Sequence, residues 1–325
     1  MRVSMLRIRL TASGWQRWVA SCVIACFAMP NATFAQAKKK ATAPAPPPAT
    51  ALERIRASGA LNLGYRSDAR PFSYQESGKP TGYSIDLCQR VAESVKSELN
   101  LPGLKVDWVA VTPDNQFQAL EQHQIDVLCG STSITLQRRK QVDFSSPIFP
   151  GGIGVLVRSD APKQLTNILA GKAQDYRPTW RAVALNILRE QTFAAVAAST
   201  GEQWVAQKGN ELQVQFRVTP VPNYDAGVQA VLGSKASAFF AERAALLDAA
   251  KRQASGDRLT VIDRQFTYEP LALALARGDD DFRLLVDRSL SLFFNSSAFP
   301  TTYTKWFGKA DDTAKNFFRW NALPE

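Results

Sequence analysis

The chain has 325 residues and a formal net charge of +10, with 45% apolar and 21% charged residues. This length suggests about two domains, and the composition excludes a disordered chain, a collagen and a coiled coil. One histidine and four cysteines exclude a histidine-rich metal site and a cysteine-dense disulfide scaffold.

Residues 1–37 have the composition of a secretory signal peptide. They contain four arginines and no acidic residue, then an apolar run from Trp18 to Met29, and they end in Ala35-Gln-Ala37. This order predicts an exported protein, and the apolar run is shorter than the roughly 20 residues that a membrane-spanning helix needs. A retained membrane anchor and a lipoprotein cleavage site before Cys26 are the alternatives.

Much of the positive charge lies outside the body of the chain. Four of the ten net charges belong to residues 1–37 and three more to residues 38–40, which leaves +3 on the rest. A nucleic-acid-binding face needs concentrated basic charge, so we expect no nucleic-acid partner. Residues 38–50 are rich in proline and alanine and have no apolar face, which predicts an extended linker.

Cys88 and Cys129 are the cysteines that remain after the predicted signal peptide. Two cysteines in an oxidising compartment usually pair, so we expect a disulfide, with two separately buried thiols as the alternative. Neither cysteine has a CxxC partner and there is one histidine, so we predict no metal site. The chain has no GxGxxG, P-loop or GxSxG motif, and we expect no cofactor.

Helix and strand patterns alternate from residue 51 onward. A short helix near 52–58 precedes a strand at 61–65, a helix that Ser84 can cap with an apolar stripe at 87–99, a strand at 106–111, a helix capped by Asp114 and a strand at 125–129. This order predicts a largely parallel sheet with helices on its faces. Apolar strands recur near 151–157, 193–198, 214–218 and 236–240, and a last strong helix begins near Asp280. We therefore predict an α/β fold.

Polar residues follow the carboxyl ends of the predicted strands, where open parallel sheets bind ligands. The set consists of Arg66, Ser131, Ser133, Arg138, Thr200 and Glu242. Hydroxyls and arginines suit a carboxylate, and an acid suits an ammonium, so the set predicts a site for a small zwitterion. Taken singly, each of these residues except Arg66 also has an ordinary structural alternative in a cap, a turn or a surface ion pair.

Several motifs follow one another in the order of a known family. They read Gly64-Tyr-Arg-x4-Pro71-Phe72-Ser-Tyr74, Gly82-Tyr-Ser-Ile-Asp86-Leu, Cys129-Gly-Ser-Thr-Ser-x4-Arg138-x5-Phe144-Ser145-x-Pro147, Ala238-Phe239-Phe240-x-Glu242-Arg, Tyr268-Glu-Pro270 and Lys305-Trp306-Phe307-Gly308. With these motifs the chain resembles the periplasmic solute-binding proteins of polar amino-acid ABC importers (family 3), especially the glutamate/aspartate-binding branch. The resemblance covers residues 51–310.

The resemblance implies a two-lobed α/β fold, the type II periplasmic-binding-protein fold, with a ligand cleft between the lobes. Lobe one is expected at 51–148 and 270–310, lobe two at 153–265, the hinges near 149–152 and 266–269, and a C-terminal tail at 311–325. The resemblance also implies a monomeric periplasmic protein that delivers an amino acid to the permease subunits of an ABC transporter in the inner membrane.

The resemblance also assigns residues to the ligand α-carboxylate. Arg138 matches the arginine that clamps this carboxylate, and a bidentate guanidinium–carboxylate pair suits that role. Ser131 and Ser133 match positions that give it further donors. Thr200 matches a donor from lobe two, where a helix N-terminus also favours an anion.

The remaining assignments concern the ligand ammonium and side chain. Glu242 stands where the family usually has an aspartate that holds the α-ammonium, and Arg66 matches the position that contacts the ligand side chain. Tyr224 stands where the acidic branch can place a histidine. Pro113 and Gln116 replace a serine and a second arginine of that branch. An acidic amino acid is therefore the first choice, with glutamine, asparagine or another polar amino acid as alternatives.

Two other functions and one insertion complete the sequence-based expectations. Some periplasmic dehydratases share this fold, and Glu242 is a possible general acid for a prephenate-like substrate. No nucleophile–base pair supports that interpretation, so we expect a binding protein rather than an enzyme. A module that reports its ligand to a separate membrane partner is a third interpretation. The stretch 173–191 is longer than the usual connection and predicts an added helix with Val183, Ile187 and Leu188 on one side.

Overall fold

The computed structural model describes residues 49–172, 181–253 and 256–324. The predicted signal peptide, most of the predicted linker and part of the long stretch at 173–191 lie outside the described residues. Within the described residues, no helix is both long enough and apolar enough to cross a membrane.

Strands and helices alternate along most of the described chain. The strands are Ala60–Arg66 (β1), Asp68–Ala69 (β2), Ser73–Glu76 (β3), Lys79–Thr81 (β4), Lys105–Val111 (β5), Val127–Ser133 (β6), Val142–Phe144 (β7), Ile153–Arg158 (β8), Thr192–Val196 (β9), Arg217–Val221 (β10), Ala238–Glu242 (β11), Leu259–Val261 (β12) and Leu271–Ala276 (β13). The α-helices are Ala51–Ser58 (α1), Tyr83–Leu99 (α2), Gln116–Glu121 (α3), Lys163–Ala170 (α4), Arg181–Arg189 (α5), Thr200–Leu212 (α6), Tyr224–Leu232 (α7), Arg243–Arg252 (α8), Asp280–Phe294 (α9), Phe299–Phe307 (α10) and Asp312–Asn321 (α11).

The first lobe is built on a sheet with the strand order β5-β1-β6-β13-β7. β1 is parallel to β5 and β6, with Arg66 opposite Val111. β13 is antiparallel to β6, with Leu271 opposite Ser133. Because the carboxyl ends of β1 and β6 meet at one edge, the residues that end these strands face the same space.

The second lobe is built on a sheet with the order β10-β9-β11-β8-β12. β9 is parallel to β10 and β11, whereas β8 is antiparallel to β11, with Glu242 opposite Ile153. Helices pack on both faces of the sheet and form two buried clusters. The turn after β9 leads into α6 at Thr200, and β11 leads directly into α8. The predicted two-lobed α/β fold is confirmed.

Helix α2 is the main cover of the first sheet. Its apolar stripe, including Leu87, Val91 and Val95, is fully buried, as the spacing predicts. The predicted cap by Ser84 is wrong, because the helix begins at Tyr83. The Ser84 hydroxyl instead donates a 2.9 Å hydrogen bond to the Gly130 carbonyl and so ties α2 to the middle of β6.

The predicted disulfide joins these same two elements. Cys88 of α2 and Cys129 of β6 are bonded, with their Cα atoms 6.1 Å apart. The pairing is confirmed. It links the inner face of α2 to the strand that carries Ser131 and Ser133, so the polar end of β6 is held by a covalent bond as well as by hydrogen bonds.

Residues 311–325, expected as a tail, form a helix over most of their length. Asp311 accepts the Ala314 N–H at 2.7 Å and so begins α11. Phe317 and Phe318 are buried in the core of the first lobe. Phe318 packs against Phe299, with ring centres 4.5 Å apart. Burial of these aromatic side chains explains why the segment docks rather than extending into solvent.

Three further details differ from the sequence-based expectation or extend it. The strand predicted at 214–218 lies at Arg217–Val221. The added helix is confirmed over Arg181–Arg189, with Leu188 buried in the second lobe, whereas residues 173–180 and the Val183 side chain lie outside the description. The antiparallel sheet β2-β3-β4 was not predicted, because its strands have two to four residues.

Two chain segments cross between the lobes and run beside each other. Leu271 N–H donates to the Phe149 carbonyl at 2.9 Å, and Glu269 N–H donates to the Gly151 carbonyl at 2.8 Å. A Cβ atom on Gly152 would lie 2.1 Å from the Thr267 carbonyl oxygen. Only glycine therefore allows this close approach, which places Glu269 next to the cleft between the lobes.

Candidate ligand-binding cleft

A cavity of about 80 Å³ lies between the two lobes. Its lining includes all seven residues predicted as ligand-binding: Arg66, Ser131, Ser133, Arg138, Thr200, Tyr224 and Glu242. The fold brings them together because Arg66 ends β1, Ser131 and Ser133 lie in the last part of β6, and Arg138 follows β6. The other three lie at the first turns of α6 and α7 and at the end of β11. Their roles toward a ligand stay predictions.

Arg138 is held in the cleft by its neighbours in the first lobe. Its Nη1 donates to the Ser133 carbonyl at 2.9 Å, and its backbone N–H donates to Thr135 Oγ1 at 3.1 Å. The guanidinium lies 5.5 Å from the centre of the Phe117 ring. Burial lowers the pKa of Arg138, and the Glu269 carboxylate opposes this shift. The result is a half-buried, pre-positioned cation, which suits an anionic group of a ligand.

Ser131 and Tyr224 line the cleft from opposite lobes. Tyr224 opens α7, where Asn223 caps the helix by accepting the Ala226 N–H at 2.9 Å. Burial, together with the Glu242 carboxylate, raises the pKa of the Tyr224 phenol well above its ordinary value, and a hydrogen bond with the Ser131 side chain opposes the rise. The phenol therefore stays protonated and available as a hydrogen-bond donor at neutral pH.

Thr200 begins α6, so the N-terminus of a helix of 13 residues opens into the cleft. Ser199 caps this helix by accepting the Glu202 N–H at 3.2 Å. The Thr200 hydroxyl donates a 2.6 Å hydrogen bond to Glu269 Oε2, and Thr267 Oγ1 donates to Glu269 Oε1 at 2.9 Å. The Thr200 hydroxyl predicted to donate to a ligand carboxylate thus donates to a carboxylate of the protein.

Glu242 ends β11 and caps the helix that follows. Its Oε2 accepts the Ala245 N–H at 3.0 Å. Burial raises the pKa of the Glu242 carboxyl to about 7, while the Ala245, Gly152 and Ala244 N–H groups oppose the rise and Glu269 adds to it. A carboxyl group that changes charge near neutral pH therefore lies in the part of the cleft where a ligand ammonium is expected.

Arg66 is already in an ion pair. Its Nε donates to Asp68 Oδ1 and its Nη2 to Asp68 Oδ2, both at 2.9 Å. The arginine that is predicted to contact the ligand side chain is therefore already paired with a carboxylate of the protein, which neutralises its charge. Pro113 and Gln116 lie in the same lining, and Gln116 Nε2 donates to the Pro113 carbonyl at 3.3 Å.

A second contact between the lobes lies outside this cavity. Arg70 of the first lobe has its Nε 3.6 Å from Asp248 Oδ2 of α8, and its Nη1 lies 3.3 Å from Glu76. Among the described residues, the buried Arg70 Nε has no hydrogen-bond partner. Asp248 also accepts from Arg252 Nε at 2.8 Å. These charges form a chain of ion pairs that reaches from one lobe to the other.

Four polar residues near the cleft were not identified from the sequence: Asp68, Arg70, Asp248 and Glu269. The Arg66-x-Asp68 spacing is a usable signal, because residues two apart in an extended segment point to the same side. Glu269 lies in the Tyr268-Glu-Pro270 motif, to which no role was assigned. The Arg70–Asp248 contact joins residues 178 positions apart, and no local pattern indicates it.

The described part of the chain contains no candidate metal site. No group of three or more histidine, cysteine, aspartate or glutamate residues there is arranged to hold a metal ion. The polar groups of the cleft are instead arginine, hydroxyl and carboxyl groups, which suit an organic zwitterion.

The sequence of this chain matches a known protein family whose members bind solutes, in agreement with the cleft. Residues 61–309 match the family of bacterial extracellular solute-binding proteins, family 3. The chain belongs to this family. The resemblance predicted from the motifs is thereby confirmed, and the family makes this chain an amino-acid-binding protein of the ABC importer class.

Individual relatives share about a quarter of their residues with this chain. An L-glutamate/L-aspartate-binding protein of Pseudomonas aeruginosa is 29% identical over 258 residues, which cover 79% of each chain. A glutamate/aspartate import solute-binding protein of Escherichia coli is 24% identical over 264 residues, 81% of each chain. Among solved structures, the ancestral amino-acid-binding protein AncCDT-1, a precursor of cyclohexadienyl dehydratase, is 25% identical with a TM-score of 0.64, covering 80% of this chain and all of that one.

Proposed function

We propose that this protein captures a polar amino acid, with glutamate and aspartate as the favoured class, and delivers it to the permease subunits of an ABC importer. One observation carries the proposal: a single cleft holds the Arg138 guanidinium from one lobe and the Glu242 carboxyl from the other. These groups have the charges that an α-carboxylate and an α-ammonium need. The names of the relatives from Pseudomonas aeruginosa and Escherichia coli support the acidic class.

The α-carboxylate is assigned to Arg138 and its surroundings. Arg138 supplies the charge, and Ser131 and Ser133 supply donors from the end of β6. The N-terminus of α6 at Thr200 adds backbone dipoles from the second lobe. Because these groups belong to both lobes, a ligand completes its contacts only when the lobes are closed.

Closure then follows from differential affinity. A ligand that binds Arg138 alone in the open form gains the Glu242 contact only in the closed form. It therefore shifts the population toward closure, by hinge movement of the crossing segments. We assign the hinges to 149–152 and 266–269, lobe one to 51–148 and 270–310, and lobe two to 153–265.

Export and oligomeric state complete the proposal. Residues 1–37 have the pattern of a signal peptide, which agrees with a family of periplasmic solute-binding proteins. We propose a monomer in the periplasm, with cleavage after Ala37 rather than a lipid anchor at Cys26.

A dehydratase is the second candidate, and Glu242 is the observation that favours it. Its pKa of about 7 would let a buried carboxyl donate a proton near neutral pH. The same carboxylate, however, accepts the Ala245 N–H as a helix cap, and the family consists of solute-binding proteins. We therefore propose reversible binding without turnover.

Calorimetric titration tests the proposal. The purified protein, freed of bound ligand by unfolding and refolding, is titrated with the twenty amino acids and with small dicarboxylates. One-to-one binding of glutamate or aspartate is the expected result, and a panel in which no amino acid binds would contradict it. Incubation with prephenate is expected to leave that acid unchanged, whereas its consumption would favour the dehydratase.

A further inference from the structure

The Arg66–Asp68 ion pair is part of the fold rather than a loose surface contact. The Ser73 hydroxyl accepts the Arg66 N–H at 2.9 Å and donates to the Arg66 carbonyl at 3.1 Å, which holds the end of β1 in place. Asp68 lies in β2, opposite Tyr74 of β3. The Arg66 and Asp68 side chains are 12% and 29% exposed. Both partners are therefore positioned by backbone pairing before any ligand arrives.

The ion pair reduces the number of free hydrogen-bond donors and the net positive charge that Arg66 presents to a ligand side chain. Asp68 occupies one edge of the Arg66 guanidinium, Nε and Nη2, and leaves the Nη1 edge. It also places a negative charge against the positive one. A ligand carboxylate would bind to the remaining edge of Arg66 beside the Asp68 carboxylate, and like charges at this range repel. An uncharged carboxamide meets no such repulsion and can both accept and donate hydrogen bonds there.

We infer that Asp68 is a specificity-determining residue: by holding Arg66, it lowers the affinity for acidic side chains and lets the amide compete with the acid. The inference rests on the proposed function and on the sequence-based expectation that Arg66 contacts the ligand side chain. It predicts that the wild-type protein binds glutamate and glutamine with affinities within about tenfold of each other.

The chain contains a matched pair for the control experiment. Arg158 and Asp160 have the same Arg-x-Asp spacing, with Nε 2.7 Å from Oδ1 and a second contact between Nη2 and Oδ2. Arg158 is the last residue of β8, and neither Arg158 nor Asp160 lines the cleft. Asp160→Asn therefore removes the same charge from the same kind of pair at a site without ligand contact.

The experiment measures glutamate and glutamine affinity by calorimetry in the wild type, Asp68→Asn and Asp160→Asn. For Asp68→Asn we expect glutamate to bind at least about tenfold more tightly and glutamine to change by less than about threefold, because only the acid gains a freed cation. Asp160→Asn is expected to change neither affinity.

Two outcomes would contradict these expectations in different ways. An unchanged ratio of glutamate to glutamine affinity in Asp68→Asn would overturn the role of Asp68 while leaving the proposed function intact. A wild-type protein that binds no amino acid would overturn the proposed function and the inference with it. Glutamine binding reports correct folding of the variant, and Asp68→Ser, which also removes the charge, must give the same change in ratio.

Discussion

The Thr200 hydroxyl donates a 2.6 Å hydrogen bond to the Glu269 carboxylate, which links the first turn of α6 in the second lobe to the segment that returns to the first lobe. Burial lowers the pKa of Arg138, and the Glu269 carboxylate is close enough to oppose this shift. A carboxylate of the protein thus interacts with two groups assigned to the ligand carboxylate. It holds these groups in place while adding a negative charge near them.

This relationship predicts a gain of affinity from Glu269→Gln. The amide keeps an acceptor for Thr200 but removes the charge that repels a ligand carboxylate, so binding should tighten by about threefold or more. Calorimetric titration with the preferred amino acid measures the change. Glu190→Gln, which removes an exposed acid of the second lobe outside the cleft lining, is the control and should have no effect. Weaker binding by Glu269→Gln would contradict this prediction. It would mean that the Glu269 charge holds Thr200 and Arg138 in place and does not repel the ligand carboxylate.

Removal of the Arg138 guanidinium should cause the largest loss of affinity. In Arg138→Ala a ligand carboxylate would be buried without its cation, which costs roughly 2–5 kcal/mol of binding free energy. The neighbouring Arg139 is exposed and offers a matched control, because Arg139→Ala removes the same charge one residue away. Binding by Arg138→Ala within threefold of the wild type would show that the carboxylate lies elsewhere.

Ligand affinity should fall as the pH decreases from 8 to 6. With its pKa raised to about 7 in the ligand-free protein, the Glu242 carboxyl is mostly ionised at pH 8 and mostly protonated at pH 6. A ligand ammonium selects the ionised form, so one extra proton must be lost on binding at pH 6, and the apparent Kd should rise about tenfold.

Two variants separate this effect from other titrations. Glu242→Gln should bind more weakly and show the same Kd at pH 6 and pH 8. His123 is the only histidine and is exposed, so His123→Gln should keep the wild-type pH dependence. A Kd for the wild type that stays constant over this range would exclude Glu242 as the partner of the ammonium.

The Arg70–Asp248 ion pair should contribute modestly to closure. Its side chains are 31% and 22% exposed, and the Nε–Oδ2 distance is 3.6 Å, so solvent and salt weaken the attraction. Asp248→Asn should raise the Kd by about two- to fivefold. Small-angle scattering should show a smaller fraction of closed protein at a given ligand concentration.

A pair within one lobe provides the comparison for this variant. Asp263 contacts Arg243 at 2.9 Å, and both residues lie in the second lobe. Asp263→Asn should therefore leave the Kd and the scattering curve unchanged. Equal effects of the two substitutions would show that net charge, rather than the contact between the lobes, is responsible.

The sequence carried the information on the fold where its patterns are local and long. The α2 stripe and the strands β1, β5 and β6 were predicted because burial imposes a pattern that can be read in the sequence. The Cys88–Cys129 pair was predicted because these two cysteines remain after the signal peptide in an oxidising compartment. Short elements such as β2 leave no such period, and the docking of α11 depends on a partner surface that the segment itself does not reveal.

The α/β class, the family and the polar residues that the fold gathers into one cleft could be predicted from residue patterns alone. Motifs at strand ends were sufficient for this, because the carboxyl ends of neighbouring parallel strands meet at one edge. The partners of these groups within the protein, such as Asp68 for Arg66 and Glu269 for Thr200, are visible only in the folded molecule. A hydrogen bond forms only when donor and acceptor lie within a few tenths of an ångström of their optimal separation, which is about 2.9 Å. Those distances are set by packing and backbone pairing over the whole molecule rather than by residue type and spacing.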